Sequence, residues 1–386
     1  MRGTAPTLGR QASCRSQPAR LGLPRADPQH MLGQSMLFAA GLLALVVGAE
    51  LLVRGASKLA LSFGISPLVV GLTVVAFGTS APEMTVSVGA VLNGQTGLAL
   101  GNVVGSNVFN VLGVLGLAAL ITPLAVHLQV IRQEVPIMIG AALLVLVMSL
   151  DGRIGGFDAA LLVALLLAYT VFLVRQSRAH AGDAADDRAQ GDGPGSRAQQ
   201  FALLIGGLVL LVGGSQAMVT AAVAVAQAIG VSDVVIGLTI VAIGTSLPEV
   251  AASVTAALKG ERDIAVGNVV GSCVFNLLGV LGLSGLAAAI TGTAGLPVPG
   301  SVANFDLWVM LAALVACLPI FLSGREVARW EGGLFLAYYV AYAGYLVLAA
   351  QHHAALPAFS GVMLGFVLPL TVVTVVVSSL KALVQA

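Results

Sequence analysis

The sequence predicts an all-α polytopic membrane protein made of two inverted five-helix repeats, about ten transmembrane helices, plus one extra C-terminal helix. Three observations lead to this fold class. The 386-residue chain is 58% hydrophobic and 9% charged, whereas a typical soluble domain has about 25% charged residues. A stretch of 47 residues occurs twice, and each half of the chain divides into five apolar segments. Each segment has the length that a membrane-spanning helix needs.

The individual helices follow from cutting the sequence at clusters of turn-forming and charged residues, because a span needs about 20 apolar residues. The predicted spans are 36–60, 67–92, 97–121, 133–150, 157–174, 201–228, 233–258, 264–290, 305–322, 331–350 and 359–384. Five of them form a first repeat at 36–174, and five form a second repeat at 201–350. The last belongs to an extra C-terminal transmembrane segment at 357–386.

Two polar stretches lie outside these helices. The first 30 residues contain five arginines and four prolines. Residues 1–35 are therefore predicted to be a disordered basic tail, with Met31 and Met36 as alternative starts of the native protein. The segment 175–200 is rich in aspartate, arginine and glycine, so we expect a flexible linker there.

The repeat is most evident between Gly71–Leu117 and Gly237–Leu283. The two stretches align without a gap at an offset of 166 residues, and 31 of 47 positions are identical. Because each repeat holds an odd number of spans, the second copy enters the membrane from the opposite side. Secondary transporters use this inverted-repeat plan and bind their substrate at the repeat interface, near the middle of the membrane.

The distribution of Lys and Arg predicts the orientation of the chain. If the first helix runs from outside to inside, twelve basic residues face the cytoplasm and six face outward, five of them in the tail. The positive-inside rule favours this orientation, which makes the linker 175–200 cytoplasmic. We therefore expect a multi-pass protein of the cell membrane whose partner is the lipid bilayer, with no obligate protein partner evident.

Each copy places one glutamate within an apolar run, which is costly in a membrane and indicates a functional site. In the first copy, Thr79 and Ser80 precede Glu83 by four and three residues, so their oxygens share one helix face. Pro82 has no N–H, which leaves the carbonyl of Gly78 without its helical donor. The second copy carries the same set in Gly244, Thr245, Ser246, Pro248 and Glu249. Hard cations such as Ca²⁺ and Na⁺ prefer all-oxygen sets of this kind.

The following helix of each copy carries further polar groups. Gly101 and Gly105 form a GxxxG pair, which permits close approach of helix backbones. Ser106 and Asn110 are four residues apart and share a helix face. Their counterparts are Gly267, Gly271, Ser272 and Asn276. If the four helices pack together, two carboxylates, two amide oxygens and several hydroxyls surround one volume. Two carboxylates balance one Ca²⁺, so Ca²⁺ and its replacement cations are alternatives at one site.

Three further polar positions have other interpretations. Asn102 and its counterpart Asn268 fit a scaffold role and a site role equally well. Glu50 has Arg54 one turn further along the same helix, so we expect a local ion pair there rather than a ligand.

With its paired GTSxPE and GNxxGSxxxN motifs, the chain resembles the prokaryotic type of the sodium/calcium exchanger branch of the calcium/cation antiporter superfamily. The likeness covers about residues 36–350. It implies exchange of Ca²⁺ against Na⁺ by alternating access, with ligands from both copies. The implied ligands are Thr79, Ser80, Glu83, Ser106, Asn110, Thr245, Ser246, Glu249, Ser272 and Asn276, together with backbone carbonyls near Ala76 and Ala242. Asn276 stands where potassium-dependent relatives carry Asp, which weakens the case for K⁺ co-transport.

Competing functions remain open at this point. A Ca²⁺/H⁺ antiporter would use Glu83 and Glu249 as proton carriers, although GNVVGS differs from the GNxxE pattern of proton-coupled exchangers. A cation channel is disfavoured by the inverted repeat. An enzyme is not expected, because the sequence has no P-loop, nucleophile elbow or His/Cys metal cluster, and its three cysteines are far apart. We expect no cofactor and no nucleic-acid partner, with Ca²⁺ and Na⁺ as transported ions.

Overall fold

The structure is a computed structural model that describes residues 28–180, 196–228, 242–351 and 353–374. The described helices are α1 Pro28–Phe63, α2 Pro67–Thr79, α3 Ala81–Leu92, α4 Thr96–Ile121, α5 Val130–Asp151, α6 Gly156–His180, α7 Arg197–Ala228, α8 Ala242–Thr245, α9 Leu247–Leu258, α10 Arg262–Ile290, α11 Val302–Leu322, α12 Arg329–Ala350 and α13 Leu356–Thr374. Nine of these described helices are long and apolar enough to cross a membrane. The pair α2 and α3 forms one more, bent span.

These helices confirm the predicted fold class. The described part of the predicted span 233–258 is α8 and α9, and α13 is the described part of the predicted span 359–384. One helix is longer than its predicted span, because α1 begins at Pro28, before the predicted start of the span at residue 36. Proline is favoured in the first turn of a helix, where its missing N–H costs nothing. Residues 1–27, the rest of the predicted tail, lie outside the described residues, as does most of the linker 175–200.

The first helix of each repeat packs against its counterpart. α1 and α7 run antiparallel, and glycines of the two helices face each other along the seam. A Cβ atom added to Gly48 would lie 2.7 Å from the backbone N of Leu211, and one added to Gly214 would lie 2.7 Å from the carbonyl oxygen of Gly41. A Cβ atom added to Gly207 would lie 2.5 Å from the backbone N of Leu52 on α1. Glycine therefore allows the two backbones to touch.

Short strands join the two repeats at both ends of the helix bundle. The strands are β1 Leu124–Ala125, β2 Arg153–Ile154, β3 Leu296–Pro297 and β4 Glu326–Val327. β1 pairs antiparallel with β4, and β2 pairs antiparallel with β3. In both pairs, one strand comes from each repeat. The two ribbons therefore follow the same approximate twofold symmetry as the helices.

Several helices contain a wider, π-type turn. In α4 it covers Phe109–Leu115, and in α10 it covers Asn276–Val280. These positions correspond in the two repeats. A π-type turn shifts the side chains after it around the helix axis and occurs often at functional sites. Both segments are fully buried.

The extra helix α13 lies against α12. Its contacts include hydrogen bonds from the hydroxyl of Tyr338 to the carbonyl oxygen of Val367 at 3.4 Å and to Thr371 Oγ1 at 2.6 Å. None of the described residues of α13 is buried, which suits a helix at the periphery that faces lipid.

Candidate functional site

The helix that carries each glutamate is interrupted just before that residue. α2 ends at Thr79, α3 begins at Ala81, and their axes differ by 42°. Ser80 lies at the break with φ −80° and ψ 7°, and Ser246 lies at the corresponding break with φ −94° and ψ 10°. Pro82 causes the interruption, because it cannot donate a backbone hydrogen bond to the preceding turn. The bend directs the first turn of α3 toward the other repeat.

The hydrogen bonds of the two glutamates cross between the repeats. Ser246 Oγ donates to Glu83 Oε1 at 2.8 Å, and Ser80 Oγ donates to Glu249 Oε1 at 3.2 Å. All four side chains have 0% exposure. These two bonds bring the carboxylates of Glu83 and Glu249 close together between the repeats. The other oxygen of each carboxylate, Oε2, is buried and has no hydrogen-bond partner among the described residues.

Hydroxyl groups surround these carboxylates. Thr79 Oγ1 donates to Asn268 Oδ1 at 3.1 Å and lies 3.4 Å from Ser272 Oγ, which joins α2 to α10. The Thr245 side chain interacts with the Glu83 carboxylate. Ser106 is buried as well. The hydroxyl groups of Thr79 and Thr245 therefore lie beside the two carboxylates, and that of Ser272 lies beside Thr79.

Asn110 and Asn276 lie within the π-type turns of α4 and α10. The turn with Asn110 packs against α9, which carries Glu249, and the turn with Asn276 packs against α3, which carries Glu83. Both asparagines have 0% exposure. The Asn276 amide has no hydrogen-bond partner among the described residues, through its oxygen or its nitrogen, whereas the Asn110 amide interacts with the Cys273 thiol. A buried amide oxygen without a partner is costly, so these two groups fit a role as ligands.

The predicted backbone carbonyl ligands have a different arrangement. The Ala76 carbonyl oxygen accepts a hydrogen bond from the backbone N–H of Ser80 at 3.1 Å. Ala242 begins the four-residue helix α8. The carbonyl of Gly244, which Pro248 leaves without its helical donor, accepts a hydrogen bond from Ser215 Oγ on α7 at 2.5 Å. A hydroxyl of α7 therefore takes the place of the missing backbone donor.

The sequence did not single out the partners of Asn102 and Asn268. Asn102 Nδ2 donates to Ser87 Oγ at 2.9 Å, and Asn268 Nδ2 donates to Ser253 Oγ at 2.9 Å. Each pair fixes the glutamate-bearing helix to the next helix of the same repeat. The constant 15-residue spacing of both pairs in the sequence was the signal that could have revealed them.

Glu50 forms the predicted pair with Arg54, at 2.6 Å between Glu50 Oε1 and Arg54 Nε. It also forms a pair that the sequence did not indicate, with Lys259 Nζ at 2.5 Å. Lys259 follows α9 and belongs to the second repeat. At the corresponding positions the chain has Gln216 and Asn93, so this bridge between repeats has no charged counterpart.

A second buried carboxylate network lies away from the two glutamates. Glu134 is fully buried and accepts hydrogen bonds from the Tyr169 hydroxyl at 2.7 Å, Gln133 Nε2 at 2.9 Å and Gln129 Nε2 at 3.0 Å. An adjacent cavity of about 520 Å³ is lined partly by Gln129, Gln133 and Gln176. Glu134 is thus satisfied by neutral donors, which is typical of a structural group.

The site as a whole offers oxygen ligands from both repeats, including two carboxyl groups. None of the buried polar side chains in the described part of the chain is Lys or Arg. No protein cation therefore balances Glu83 and Glu249 from within the core. Two buried carboxylates without a counter-charge are costly in a medium of low dielectric constant, so the arrangement favours binding of cations.

Known proteins share this sequence pattern and this fold. The family model described as sodium/calcium exchanger protein matches residues 34–175 and 199–348. The inner membrane protein YrbG of Escherichia coli is 39% identical over 261 residues, which is 66% of this chain and 80% of YrbG. The sodium/calcium exchanger MaX1 of Methanosarcina acetivorans is 34% identical over 347 residues, covering 80% of this chain and 96% of MaX1.

Solved structures of the sodium-calcium exchanger NCX_Mj have the same fold. One of them, from a crystal soaked with zero Na⁺ and Ca²⁺, superposes with a TM-score of 0.70 at 29% sequence identity, over 82% of this chain and 99% of NCX_Mj. Another, soaked with 10 mM Na⁺ and 10 mM Sr²⁺, gives a TM-score of 0.69 at 30% identity. The residues that the family model matches, 34–175 and 199–348, cover both repeats of the chain described above.

Proposed function

Because the chain belongs to the sodium/calcium exchanger protein family, we propose that it exchanges Ca²⁺ for Na⁺ across the membrane by alternating access. The observation that carries this proposal is the crossed pair of hydrogen bonds, from Ser246 to Glu83 and from Ser80 to Glu249. It brings one carboxylate from each repeat into a single buried volume. Alternating access in inverted-repeat transporters moves the repeats around such a midplane site.

The proposed ligands are the groups that both copies contribute. They are Glu83, Glu249, Thr79, Thr245, Ser80, Ser246, Ser106, Ser272, Asn110 and Asn276. The free Oε2 atoms of the two glutamates and the unpartnered amide oxygens of the two asparagines support this choice. Carboxylate, amide and hydroxyl oxygens are ligands that Ca²⁺ prefers, and it accepts six to eight of them. The carbonyls of Ala76 and Ala242 remain candidates, although that of Ala76 already accepts a hydrogen bond.

Sodium is the proposed counter-ion because the two glutamates have no internal counter-charge and Na⁺ also prefers oxygen ligands. We further propose that the protein resides in the cell membrane with residues 175–200 on the cytoplasmic side. The positive-inside distribution of Lys and Arg supports this orientation. The proposed division of the chain is a tail at 1–35, repeats at 36–174 and 201–350, and an additional helix at 357–386.

The test is uptake of ⁴⁵Ca²⁺ into proteoliposomes that contain the full chain and are loaded with Na⁺. We expect uptake with internal Na⁺ and none when K⁺ replaces Na⁺ on both sides. Protein-free liposomes with the same gradients control for leakage. Uptake that a pH gradient drives without Na⁺ would replace sodium with protons as the counter-ion. Uptake that continues without any opposing cation gradient would contradict antiport altogether.

A further inference from the structure

The two repeats differ in chemistry at one position beside the proposed ligands. α10 carries Cys273 there, and the position 166 residues earlier, on α4, holds Asn107. Both side chains have 0% exposure. Each directly follows a proposed serine ligand, Ser272 or Ser106. A thiol is soft and polarizable, whereas an amide offers a hard oxygen, so this difference bears on which cations the site binds.

The Cys273 thiol lies beside proposed ligands of both repeats. It interacts with the amide of Asn110 in the π-type turn of α4, which packs against α10. The Glu249 carboxylate is near enough to act on the thiol electrostatically, and its Oε2 is buried without a hydrogen-bond partner among the described residues. Asn276, whose buried amide is also unpartnered in the described part of the chain, lies three residues after Cys273 and shares its side of α10. The sulfur atom is therefore next to groups that retain oxygens for a cation.

Asn107 does not repeat this arrangement in the first copy. Its Nδ2 donates to the carbonyl oxygen of Val103, in its own helix, at 2.7 Å. The amide of Asn276, which would be its counterpart contact, has no hydrogen-bond partner among the described residues. The contact across the repeats at this position is thus made by the thiol alone.

The other buried thiol, Cys317 on α11, is arranged differently. It lies near Cys273, but its Sγ donates to the carbonyl oxygen of Ala313 in its own helix at 3.7 Å. Within the described residues, no three His, Cys, Asp or Glu side chains form a metal-binding group. Cys273 therefore adds one sulfur to a site of oxygen ligands and does not belong to a cysteine-rich metal centre.

We propose that Cys273 is a specificity-determining residue of the Ca²⁺ site, and that its sulfur binds soft divalent cations such as Cd²⁺ together with the Glu249 carboxylate. Cd²⁺ has nearly the size of Ca²⁺ but prefers thiolate sulfur, whereas Ca²⁺ prefers oxygen. When Cd²⁺ binds, the S–H bond breaks, an S–Cd bond forms and the proton is released to solution. This role rests on the proposed exchange function, since Glu249 and Asn110 are its proposed Ca²⁺ ligands.

The experiment compares Cd²⁺ with Ca²⁺ in proteoliposomes that contain the full chain with Cys14→Ser, which removes the third thiol. The quantity measured is the ratio of the inhibition constant of Cd²⁺ to the KM of Ca²⁺ in Na⁺-driven ⁴⁵Ca²⁺ uptake. We expect Cys273→Ser, and also Cys273→Asn, to raise this ratio at least about tenfold. The same ratio for Sr²⁺, a hard cation, should not change. A purely structural role of Cys273 would shift the constants for all three ions together, and an unchanged Cd²⁺ ratio would overturn the proposal.

Cys317→Ser is the matched control, because it removes a buried thiol that bonds its own helix. The Cd²⁺ ratio of this variant should equal that of the protein with both thiols. A rise as large as that in Cys273→Ser would show that the sulfur effect is not specific to Cys273, which would also overturn the proposal.

A spectroscopic measurement tests the sulfur ligand without transport. When Cd²⁺ is added to the purified Cys14→Ser protein, the ultraviolet charge-transfer band of a Cd–thiolate bond should appear, and excess Ca²⁺ should remove it. Cys273→Ser should lack the band. A missing band, or one that persists in Cys273→Ser or in excess Ca²⁺, would overturn the proposal. If Na⁺ drives no Ca²⁺ uptake, the band still reports on Cys273, so failure of the proposed exchange and failure of the sulfur ligand are distinguishable.

Discussion

Ser80 of the first repeat donates a hydrogen bond to Glu249 of the second, and Ser246 of the second repeat donates one to Glu83 of the first. At a partly exposed position away from these residues, the repeats differ. Glu50 of the first repeat pairs with Lys259 of the second, whereas the corresponding positions hold Gln216 and Asn93. The centre of the molecule thus has approximate twofold symmetry in its chemistry, and its edge does not.

This difference suggests one role for the symmetric site and another for the asymmetric contact between Glu50 and Lys259. When an inverted-repeat transporter changes its open side, each repeat takes over the arrangement of the other. Under the proposed alternating access, we expect contacts that have a counterpart to be exchanged for equivalent contacts, so that the symmetric site serves both states. We expect a contact without a counterpart, such as Glu50–Lys259, to form in one state only and to favour that state.

The largest expected effect comes from breaking the symmetric centre. Either Glu83→Gln or Glu249→Gln leaves one carboxylate to balance Ca²⁺, and breaking a buried charge balance typically costs 3–5 kcal/mol. We therefore expect ⁴⁵Ca²⁺ exchange to fall by about 100-fold or more in each variant, to the same extent in both. The measurement is Na⁺-driven uptake into proteoliposomes.

Glu50→Gln is the matched control, since it removes a carboxylate from the edge. It should retain exchange within a few-fold of the unsubstituted protein. Insertion of every variant is verified by its yield in the membrane fraction. Normal exchange in either site variant would contradict the assignment of the site, and a large difference between the two would contradict its functional symmetry.

The symmetric part of the molecule was the part that the sequence could predict. Each repeated motif carries its own glutamate, hydroxyl groups and proline, and the 166-residue offset relates each of them to its counterpart. Local rules then place the serine three residues before the glutamate on the same helix face. Local rules do not show that each serine bonds the glutamate of the other repeat, because this follows from how two broken helices face each other.

The asymmetric bridge and the irregular helix turns could not be predicted, because they too depend on residues that are far apart in the sequence. The bridge from Glu50 to Lys259 connects residues 209 positions apart, and no repeated pattern indicates it. The π-type turns at Asn110 and Asn276 have the sequence of ordinary helix, and each packs against a helix of the other repeat. The direction of the Gly244 carbonyl depends on Ser215 in another helix.

An intermediate effect is expected from the seam between α1 and α7. A Cβ atom added to Gly207 would lie 2.5 Å from the backbone N of Leu52, whereas one added to the neighbouring Gly206 would meet nothing within 4 Å. Overpacking of this kind typically costs about 1–3 kcal/mol. We therefore expect Gly207→Ala to lower the thermal unfolding temperature in detergent.

Two controls sharpen this comparison. Gly206→Ala adds the same methyl group on the open side of the helix and should leave the unfolding temperature unchanged or slightly raised, since alanine favours helix. Gly41→Ala, the counterpart of Gly207→Ala in the first repeat, should lower it to a similar degree. Equal unfolding temperatures for Gly206→Ala and Gly207→Ala would show that the seam tolerates separation of its helices.

The smallest expected effect concerns the asymmetric bridge. Lys259→Asn gives the second repeat the residue that the first repeat has at Asn93. Partly exposed ion pairs contribute at most about 1 kcal/mol, so the equilibrium between the two states should change by no more than about fivefold. This change raises the apparent affinity for Ca²⁺ on one face of the membrane and lowers it on the other, because each face is served by one state.

The ratio of the two apparent affinities is the quantity to measure, since it cancels effects that act equally on both states. Arg54→Gln is the matched control. It also removes a cationic partner of Glu50, but Arg54 belongs to the same helix as Glu50, so its pair does not connect the repeats and its loss should leave the ratio unchanged. High salt should reduce the effect of Lys259→Asn, because exposed charges are screened. If Arg54→Gln and Lys259→Asn change the ratio equally, the bridge acts through the charge of Glu50 alone and not as a link between the repeats.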